Sequence, residues 1–264
     1  VDQIAVTLGD TDRELPSPVS SGSSTLPTLA PAAKDGAIAL YRSLIAGAAR
    51  ILACPTEELS IQHDAVVAAS GQSIRLDALH RQLGRRELQA TGRRASNKRA
   101  HAIRTCGAQC VEVEVDTATG RVTVLRVTAS HECGRIVHAK LADSQVMGGI
   151  MQGIGFSLME ERRIDVASGR VLNANLEDYK VPTIADTPQI QHARLDLPDE
   201  LANSAGVKGL GEPPIIPTAP AITNAIFDAV GVRIYDLPVD ACSMLEALRG
   251  PPRTQLCNRN DPAS

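Results

Sequence analysis

The segment KGLGEPP at residues 208–214 holds a carboxylate in a setting that suits a general base. The glycines before Glu212 allow a bulky group to approach closely, and the two prolines after it stiffen the backbone that carries the carboxylate. A carboxylate held in one position can accept a proton from a bound reactant. An ordinary loop glutamate has the same spacing, so this segment alone leaves a structural role open.

A second segment, residues 20–25, combines hydroxyl side chains with flexible backbone just before an apolar stretch of helical spacing. Hydroxyl groups, backbone amides and a helix N-terminus can together hold a phosphate or another oxyanion. The candidate ligands are Ser21, Gly22, Ser23 and Ser24. Linkers are also rich in serine and glycine, so the segment alone does not decide between a ligand site and a linker.

A third segment, residues 144–161, has the pattern of a helix and carries Gln145 and Gln152 on one face, seven positions apart. Each glycine inside a helix costs about 1 kcal/mol relative to alanine. This helix contains Gly148, Gly149, Gly153 and Gly155. Close packing must offset that cost. Two amides on one face could bind a heteroatom-rich ligand, but tight helix packing with exposed glutamines explains the pattern equally well.

The histidines and cysteines do not have the spacing of a metal site. The segment 131–138 contains two histidines, a glutamate and a cysteine, but the spacing matches no tetrahedral zinc pattern, so packing at a strand end is favoured. The six cysteines form no CxxC pair, which is typical of thiols in a reducing compartment. We predict that they are packing residues, with Cys106 and Cys110 as small apolar fillers of a strand.

The elements that must position these residues follow from hydrophobic periodicity. We predict strands at 4–8, 59–61, 65–68, 111–124 (a hairpin that turns at Gly120) and 190–197, and helices at 32–52, 76–83, 144–161 and 218–230. Strands and helices alternate without regular βαβ units. The predicted fold class is therefore α+β, with helices layered on mixed or antiparallel sheets.

The same pattern predicts two lobes that divide near residue 100. Residues 1–100 form the first lobe, residues 101–249 the second lobe with Glu212, and residues 250–264 a disordered tail. A basic connector covers 81–104, with eight Lys and Arg residues against one acidic residue. Because the chain begins at Val1 and enters a strand directly, we expect it to be the C-terminal portion of a longer protein.

The amino-acid composition argues against nucleic acids and membranes as partners. A basic block can mark a nucleic-acid site, but two Phe, three Tyr and no Trp leave little material for base stacking, so a solvated connector and no nucleic-acid partner are predicted. No run approaches the roughly 20 apolar residues that span a bilayer, so we expect no membrane insertion.

Six segments occur in a characteristic order. They are GDTD at 9–12 followed by the Ser/Gly run, CGAQCVEVEVDTATGRV at 106–122, HECGRI at 131–136, QVMGGIMQGIGFSLMEE at 145–161, DYKVPTIADTP at 178–188 and KGLGEPP at 208–214. Together they resemble the C-terminal molybdopterin-binding region of the large subunit of molybdenum hydroxylases, the xanthine dehydrogenase and aldehyde oxidoreductase family. The resemblance extends to about residue 249 and is closest to the bacterial aldehyde oxidoreductase type.

The resemblance implies an enzyme part that oxidises aldehydes, or N-heterocycles, with water as the oxygen source. It implies that Glu212 is the base that deprotonates a hydroxyl on molybdenum. Gln145 and Gly211 are implied to contact the pterin cofactor, and Ser21–Ser24 to line its phosphate or pterin end. The pterin dithiolene would hold the metal, which needs no protein ligand.

The resemblance also implies the partners. These are a molybdenum–molybdopterin cofactor, in the plain or the cytosine dinucleotide form, an iron–sulfur (2Fe–2S) subunit, an FAD subunit, the remainder of the molybdenum subunit and a small aldehyde substrate. The expected compartment is the cytoplasm, or the periplasm where a partner carries the export signal. Family members usually have Phe near the positions of Cys106 and Cys110, and their catalytic subunit is far longer. The alternative is therefore a catalytically incomplete fragment, or a subunit-assembly module without turnover of its own.

Overall fold

The computed structural model describes residues 4–13, 19–83, 88–95 and 101–250. Contacts within the chain define two units. The first comprises Val1–Ala102 and Asp199–Val207, and the second comprises Ile103–Pro198 and Lys208–Ser264. Residues 251–264 of the predicted tail, and parts of the predicted connector 81–104, lie outside the described residues.

The first unit packs two helices against a small antiparallel sheet in the order β1-β2-β3. Its elements are α1 (Thr25–Leu52), β1 (Leu59–Gln62), β2 (Ala65–Ala68), β3 (Ser73–Arg75) and α2 (Leu76–Leu83). Buried side chains from α1, all three strands and α2 form its core, including Ile45, Leu59, Val66, Ile74 and Leu79. The predicted strands at 59–61 and 65–68 and the helix 76–83 are confirmed, whereas β3 was not predicted.

The long helix α1 begins seven residues before the predicted start at Ala32. Prolines at positions 27 and 31 favoured a loop there, but Pro27 lies in the first turn of the helix, where a proline loses no intrahelical hydrogen bond. Pro31 is buried inside the helix. As a consequence, the Ser/Gly run leads directly into the helix N-terminus.

Residues 4–8 do not form the predicted strand. The structure has no strand there, and Ile4, Val6 and Leu8 are exposed. Alternating apolar residues make a strand only where a neighbouring backbone completes the hydrogen bonds. Within the basic connector, residues 88–95 run along α1, because Gly92 brings its backbone against Ala32 and Gly36.

The second unit is built on a mixed three-stranded sheet in the order β4-β5-β6. Its elements are β4 (Cys106–Val115), β5 (Val122–Glu132), α3 (Ala139–Leu158), β6 (Gln189–Leu195), α4 (Thr218–Val230) and α5 (Ala241–Arg249). Strands β4 and β5 form the predicted hairpin, and β6 pairs in parallel with β5. Helix α4 has the predicted bounds and ends at Gly231, where φ is 72°.

One face of this sheet is covered by helices, and the core lies between them. Buried side chains come from β5, α3, α4 and α5, namely Val124, Val127, Ala129, Val146, Ile150, Ile154, Ile222, Ile226 and Met244. The α+β fold class and the mixed sheet are as predicted. No helix in the described part of the chain combines the length and the apolar sequence needed to cross a bilayer.

The hairpin turn yields a stability prediction. Gly120 has a φ of 75°, and a Cβ there would lie 2.2 Å from the carbonyl oxygen of Ala241 in α5. We expect Gly120→Ala to lower the free energy of unfolding by about 2–4 kcal/mol, through left-handed backbone strain and overpacking together. Gly169→Ala is the matched control, since φ there is 70° but no described atom lies within 4 Å of an added Cβ. It should cost only about 1–2 kcal/mol. Denaturant unfolding that gives equal losses for the two variants would contradict the packing argument.

Candidate functional site

The loop that carries Glu212 is anchored at its start to the end of β5. The carboxylate of Glu132 contacts the Lys208 ammonium, and the Lys208 N–H donates to the carbonyl of Cys133 at 2.8 Å. Lys208 is buried and Glu132 is mostly so. The segments HECGRI and KGLGEPP, distant in sequence, therefore meet in the fold.

Two side chains near and on β4 hold the rest of the loop. The Thr105 hydroxyl donates to the carbonyl of Gly209 at 2.7 Å. The amide nitrogen of Gln109 donates to the carbonyl of Pro214 at 2.7 Å, and its oxygen accepts from the Thr218 hydroxyl at 2.8 Å. Sequence analysis missed Gln109, although a polar residue on the core-facing side of a strand is a signal for such a role.

Three of the four glycines in α3 are explained by close packing, as expected from their cost. An added Cβ would lie 2.8 Å from Pro214 at Gly149, and 2.4 Å from Thr218 at Gly153. At Gly155 it would meet the side chain of Glu160. The Glu212 loop and the start of α4 thus sit in a groove that glycines open in α3.

The fourth glycine, Gly148, lies on a different face of α3. It is exposed, as are Gln145 and Gln152 on the same face, and no described atom lies within 4 Å of a Cβ added to it. Helix packing among the described residues therefore does not account for its cost of about 1 kcal/mol.

Helix α3 contacts the Glu212 loop one helical turn beyond Gln145. Gln145 lies one helical turn before Gly149, which contacts Pro214, and Glu212 is two residues before that proline. The Glu212 side chain is exposed and Gly211 is half-buried. The described residues therefore present the carboxylate at the surface, rather than in the apolar setting that would desolvate it.

The Ser/Gly run forms a tight turn in the first unit. The N–H of Ser24 donates to the carbonyl of Ser21 at 3.1 Å, while φ is 58° at Gly22 and 55° at Ser23. Positive φ at both central residues defines a type I′ turn. Helix α1 begins at the next residue, Thr25, so hydroxyls and backbone amides lie together at the helix N-terminus.

The cysteines are placed differently from the prediction. Cys106 and Cys110 are exposed, as is Cys242, while Cys133 is buried. The prediction of small apolar fillers was wrong for the first two. They alternate along β4 with residues such as Gln109 that face the helices, so their side chains lie on the opposite, uncovered face of the sheet. Cys257 lies outside the described residues.

The two histidines of residues 131–138 have structural roles, one in the core and one as a helix cap. His131 is fully buried on β5, with the ring of His192 6.0 Å away. His192 pairs with Asp143 of α3 at 3.0 Å, and His138 caps α3 by accepting from the N–H of Leu141. In the part of the chain that the structure describes, no three or more potential ligands gather into a metal site.

Burial, with a smaller contribution from His192, lowers the pKa of His131 below its ordinary value of 6.5. Both of its ring nitrogens are buried without a hydrogen-bond partner among the described residues. The folded state therefore disfavours the imidazolium, so the unfolded chain binds more protons below pH 6.5 and stability falls as the pH drops through that value.

We expect the free energy of unfolding to fall as the pH is lowered from 6.5, because the unfolded chain takes up a proton that buried His131 disfavours. His131→Gln should flatten this slope in denaturant unfolding. His138→Asn, which keeps a capping side chain, should retain it. An unchanged slope in His131→Gln would contradict the assignment.

Comparison with known proteins shows which protein family this chain belongs to. A family model described as a molybdopterin cofactor-binding domain matches residues 1–188. Because the match covers more than half of the chain, the chain belongs to this molybdopterin cofactor-binding family. The resemblance drawn from the six segments is thereby confirmed.

Particular relatives refine the comparison. The chain is 47% identical to a xanthine dehydrogenase molybdenum-binding subunit of Escherichia coli O157:H7 over 133 residues, which are 50% of this chain and 18% of that subunit. It is 38% identical to the aldehyde oxidoreductase molybdenum-binding subunit PaoC of Escherichia coli K12 over 138 residues, 52% of this chain and 19% of that subunit. The matched region thus spans about a fifth of these relatives.

A solved structure shares the fold. Reconstituted CO dehydrogenase from Oligotropha carboxidovorans superposes with a TM-score of 0.72 at 22% identity, covering 86% of this chain and 29% of that one. At this identity the likeness establishes the architecture alone.

Proposed function

We propose that this chain supplies the general base and part of the molybdopterin-binding surface of a molybdenum hydroxylase that oxidises aldehydes or N-heterocycles. One observation carries the proposal: Gly149 of α3, one helical turn after the exposed Gln145, packs against Pro214, two residues beyond Glu212. The matched region spans about a fifth of the length of these relatives, so we propose, rather than infer from the match, that the whole enzyme oxidises aldehydes or N-heterocycles.

The residues present fit the cofactor. A pterin offers nitrogen and oxygen atoms that an amide side chain can both donate to and accept from. Gly148 has no side chain, so it leaves space between Gln145 and Gln152. A Cβ added to Gly148 would have no described atom within 4 Å. The Ser21–Ser24 turn at the N-terminus of α1 offers hydroxyls and amides of the kind that bind phosphate.

In this mechanism the chain's own residues bind, orient and accept a proton. The bound cofactor supplies the metal centre that takes two electrons from the substrate. Gln145 orients the pterin through its amide. Glu212 accepts the proton released as the substrate is oxidised, and the prolines behind it keep the carboxylate in place.

The partner proteins follow from the same proposal. The names of the relatives describe molybdenum-binding subunits, which supports an enzyme with separate subunits. We propose that electrons leave through a 2Fe–2S subunit and an FAD subunit, and that the remainder of the molybdenum subunit covers Glu212 and excludes water.

Molybdenum content tests the proposed cofactor surface. We expect the chain, produced in a host that makes the cofactor, to retain molybdenum by mass spectrometry, and Gln145→Ala to lower that content several-fold. Gly148→Ala should lower it too, while stabilising the apo chain by up to about 1 kcal/mol, because the glycine cost is removed. Gln191→Ala, an exposed glutamine on β6, is the control and should change neither. A folded wild-type chain without molybdenum would instead favour the assembly-module alternative.

A further inference from the structure

The Glu212 loop has few backbone donors with which to hold itself. Pro213, Pro214 and Pro217 have no N–H. Within the loop, the N–H of Ile215 donates to the carbonyl of Glu212 at 3.0 Å, and that of Thr218 donates to Ile215 at 3.3 Å. Side chains from other elements must therefore fix the loop in place.

Gln109 contacts the loop at the point where it turns into α4. Its amide nitrogen donates to the Pro214 carbonyl at 2.7 Å, and its oxygen accepts from the Thr218 hydroxyl at 2.8 Å. The Thr218 hydroxyl also lies 3.2 Å from the Pro214 carbonyl, so the three groups form a closed set of contacts. Thr218 is fully buried.

The contact requires an amide of this length. A carboxylate cannot donate to the Pro214 carbonyl, an ammonium cannot accept from Thr218, and asparagine is one methylene shorter. Glycines 149 and 153 of α3 bring Pro214 and Thr218 into close packing from the other side. The loop is thus held between β4 and α3, two residues beyond Glu212.

We infer that Gln109 is a positioning residue, whose side-chain amide sets the orientation of the loop that presents Glu212. The inference rests on the proposed role of Glu212 as base, but its test needs neither cofactor nor turnover. In this role Gln109 of β4 affects the site through the loop and does not itself contact the reactants.

Hydrogen exchange of the full chain, followed by NMR, tests the inference. In Gln109→Met, which keeps the side-chain length and loses both hydrogen bonds, we expect the amides of Ile215 and Thr218 to exchange at least tenfold faster. The amides of Asp116 and Gly120, bonded in the β4–β5 turn, should keep their wild-type rates. Gln191→Met is the matched control and should leave all four rates unchanged.

Thr218, which donates to Gln109, allows that hydrogen bond to be removed by a second, independent substitution. Thr218→Val keeps the shape but loses the hydroxyl, so it should also accelerate exchange at Ile215, whereas Thr218→Ser keeps the hydroxyl and should restore nearly wild-type exchange. Unchanged exchange at Ile215 in both Gln109→Met and Thr218→Val would overturn the inference. So would an equal rise at Gly120, because that indicates general destabilisation.

The two hypotheses fail separately. If Glu212 is not the base, Glu212→Gln retains turnover, while loop exchange still responds to Gln109→Met. If Gln109 does not position the loop, exchange is unaffected, whatever turnover Glu212→Gln retains.

Discussion

Turnover of the assembled enzyme is expected to fall by about 10²–10⁴-fold when Glu212 is replaced by glutamine, the range that a general base contributes. Glutamine has nearly the same shape as glutamate, but its amide cannot accept the proton that the reaction releases. The loop contacts made by Lys208, Gly209 and Pro214 involve other atoms and should persist. Molybdenum content and KM should therefore stay close to the wild-type values.

The measurement is steady-state oxidation of an aldehyde with a dye as acceptor, normalised to molybdenum content. Glu114→Gln provides the matched control, since Glu114 is an exposed glutamate on β4 of the same unit. It should leave kcat unchanged. If Glu212→Gln kept more than about a tenth of wild-type turnover, Glu212 would be a structural glutamate, because loss of a base costs at least about 10²-fold.

Glu132→Gln should lower the free energy of unfolding of the second unit by about 3 kcal/mol, the low end for breaking a buried ion pair. The carboxylate of Glu132 faces the ammonium of Lys208, whose side chain is only 8% exposed. Without that carboxylate, a buried charge loses its main compensation. The same carboxylate also accepts the N–H of Gly134 at 2.7 Å, and the single amide oxygen of glutamine cannot replace both of its oxygens.

Denaturant unfolding measures this loss, and a double replacement tests its cause. Glu132→Gln combined with Lys208→Met removes both charges and should recover part of the stability. The control is Glu112→Gln, which breaks a pair with Arg126 whose side chains are both about half exposed, and which should cost less than about 1 kcal/mol. A loss for Glu132→Gln no larger than that of the control would contradict the ion-pair argument.

Elements governed by local chemistry were predictable from sequence. Helix α4 has an apolar face, an early proline and a glycine stop, and it was found with the predicted bounds. The turn at Gly120 depends on a residue that tolerates positive φ, and it lies where expected. The cost of four glycines in α3 correctly indicated close packing for three of them.

Features that depend on a neighbour could not be inferred in this way. The segment 4–8 has the alternation of a strand, yet the structure assigns no strand there. Cys106 and Cys110 have the size of core fillers, but which face of β4 is covered depends on where α4 packs. Gln109 had no predicted role, because its partners lie more than a hundred positions away along the chain.

The sequence alone determined the cofactor family and the chemical types of the candidate site, because amide, hydroxyl and carboxylate groups in a fixed order along the chain need no coordinates to be recognised. The tertiary structure decided how those groups are supported. Glu132 meets Lys208, and Gln109 meets Pro214 and Thr218, only when β4 and β5 come together with the Glu212 loop and α4. Hydrogen bonds and ion pairs act over a few ångströms, so contacts between distant segments are set by packing and leave little trace in local sequence.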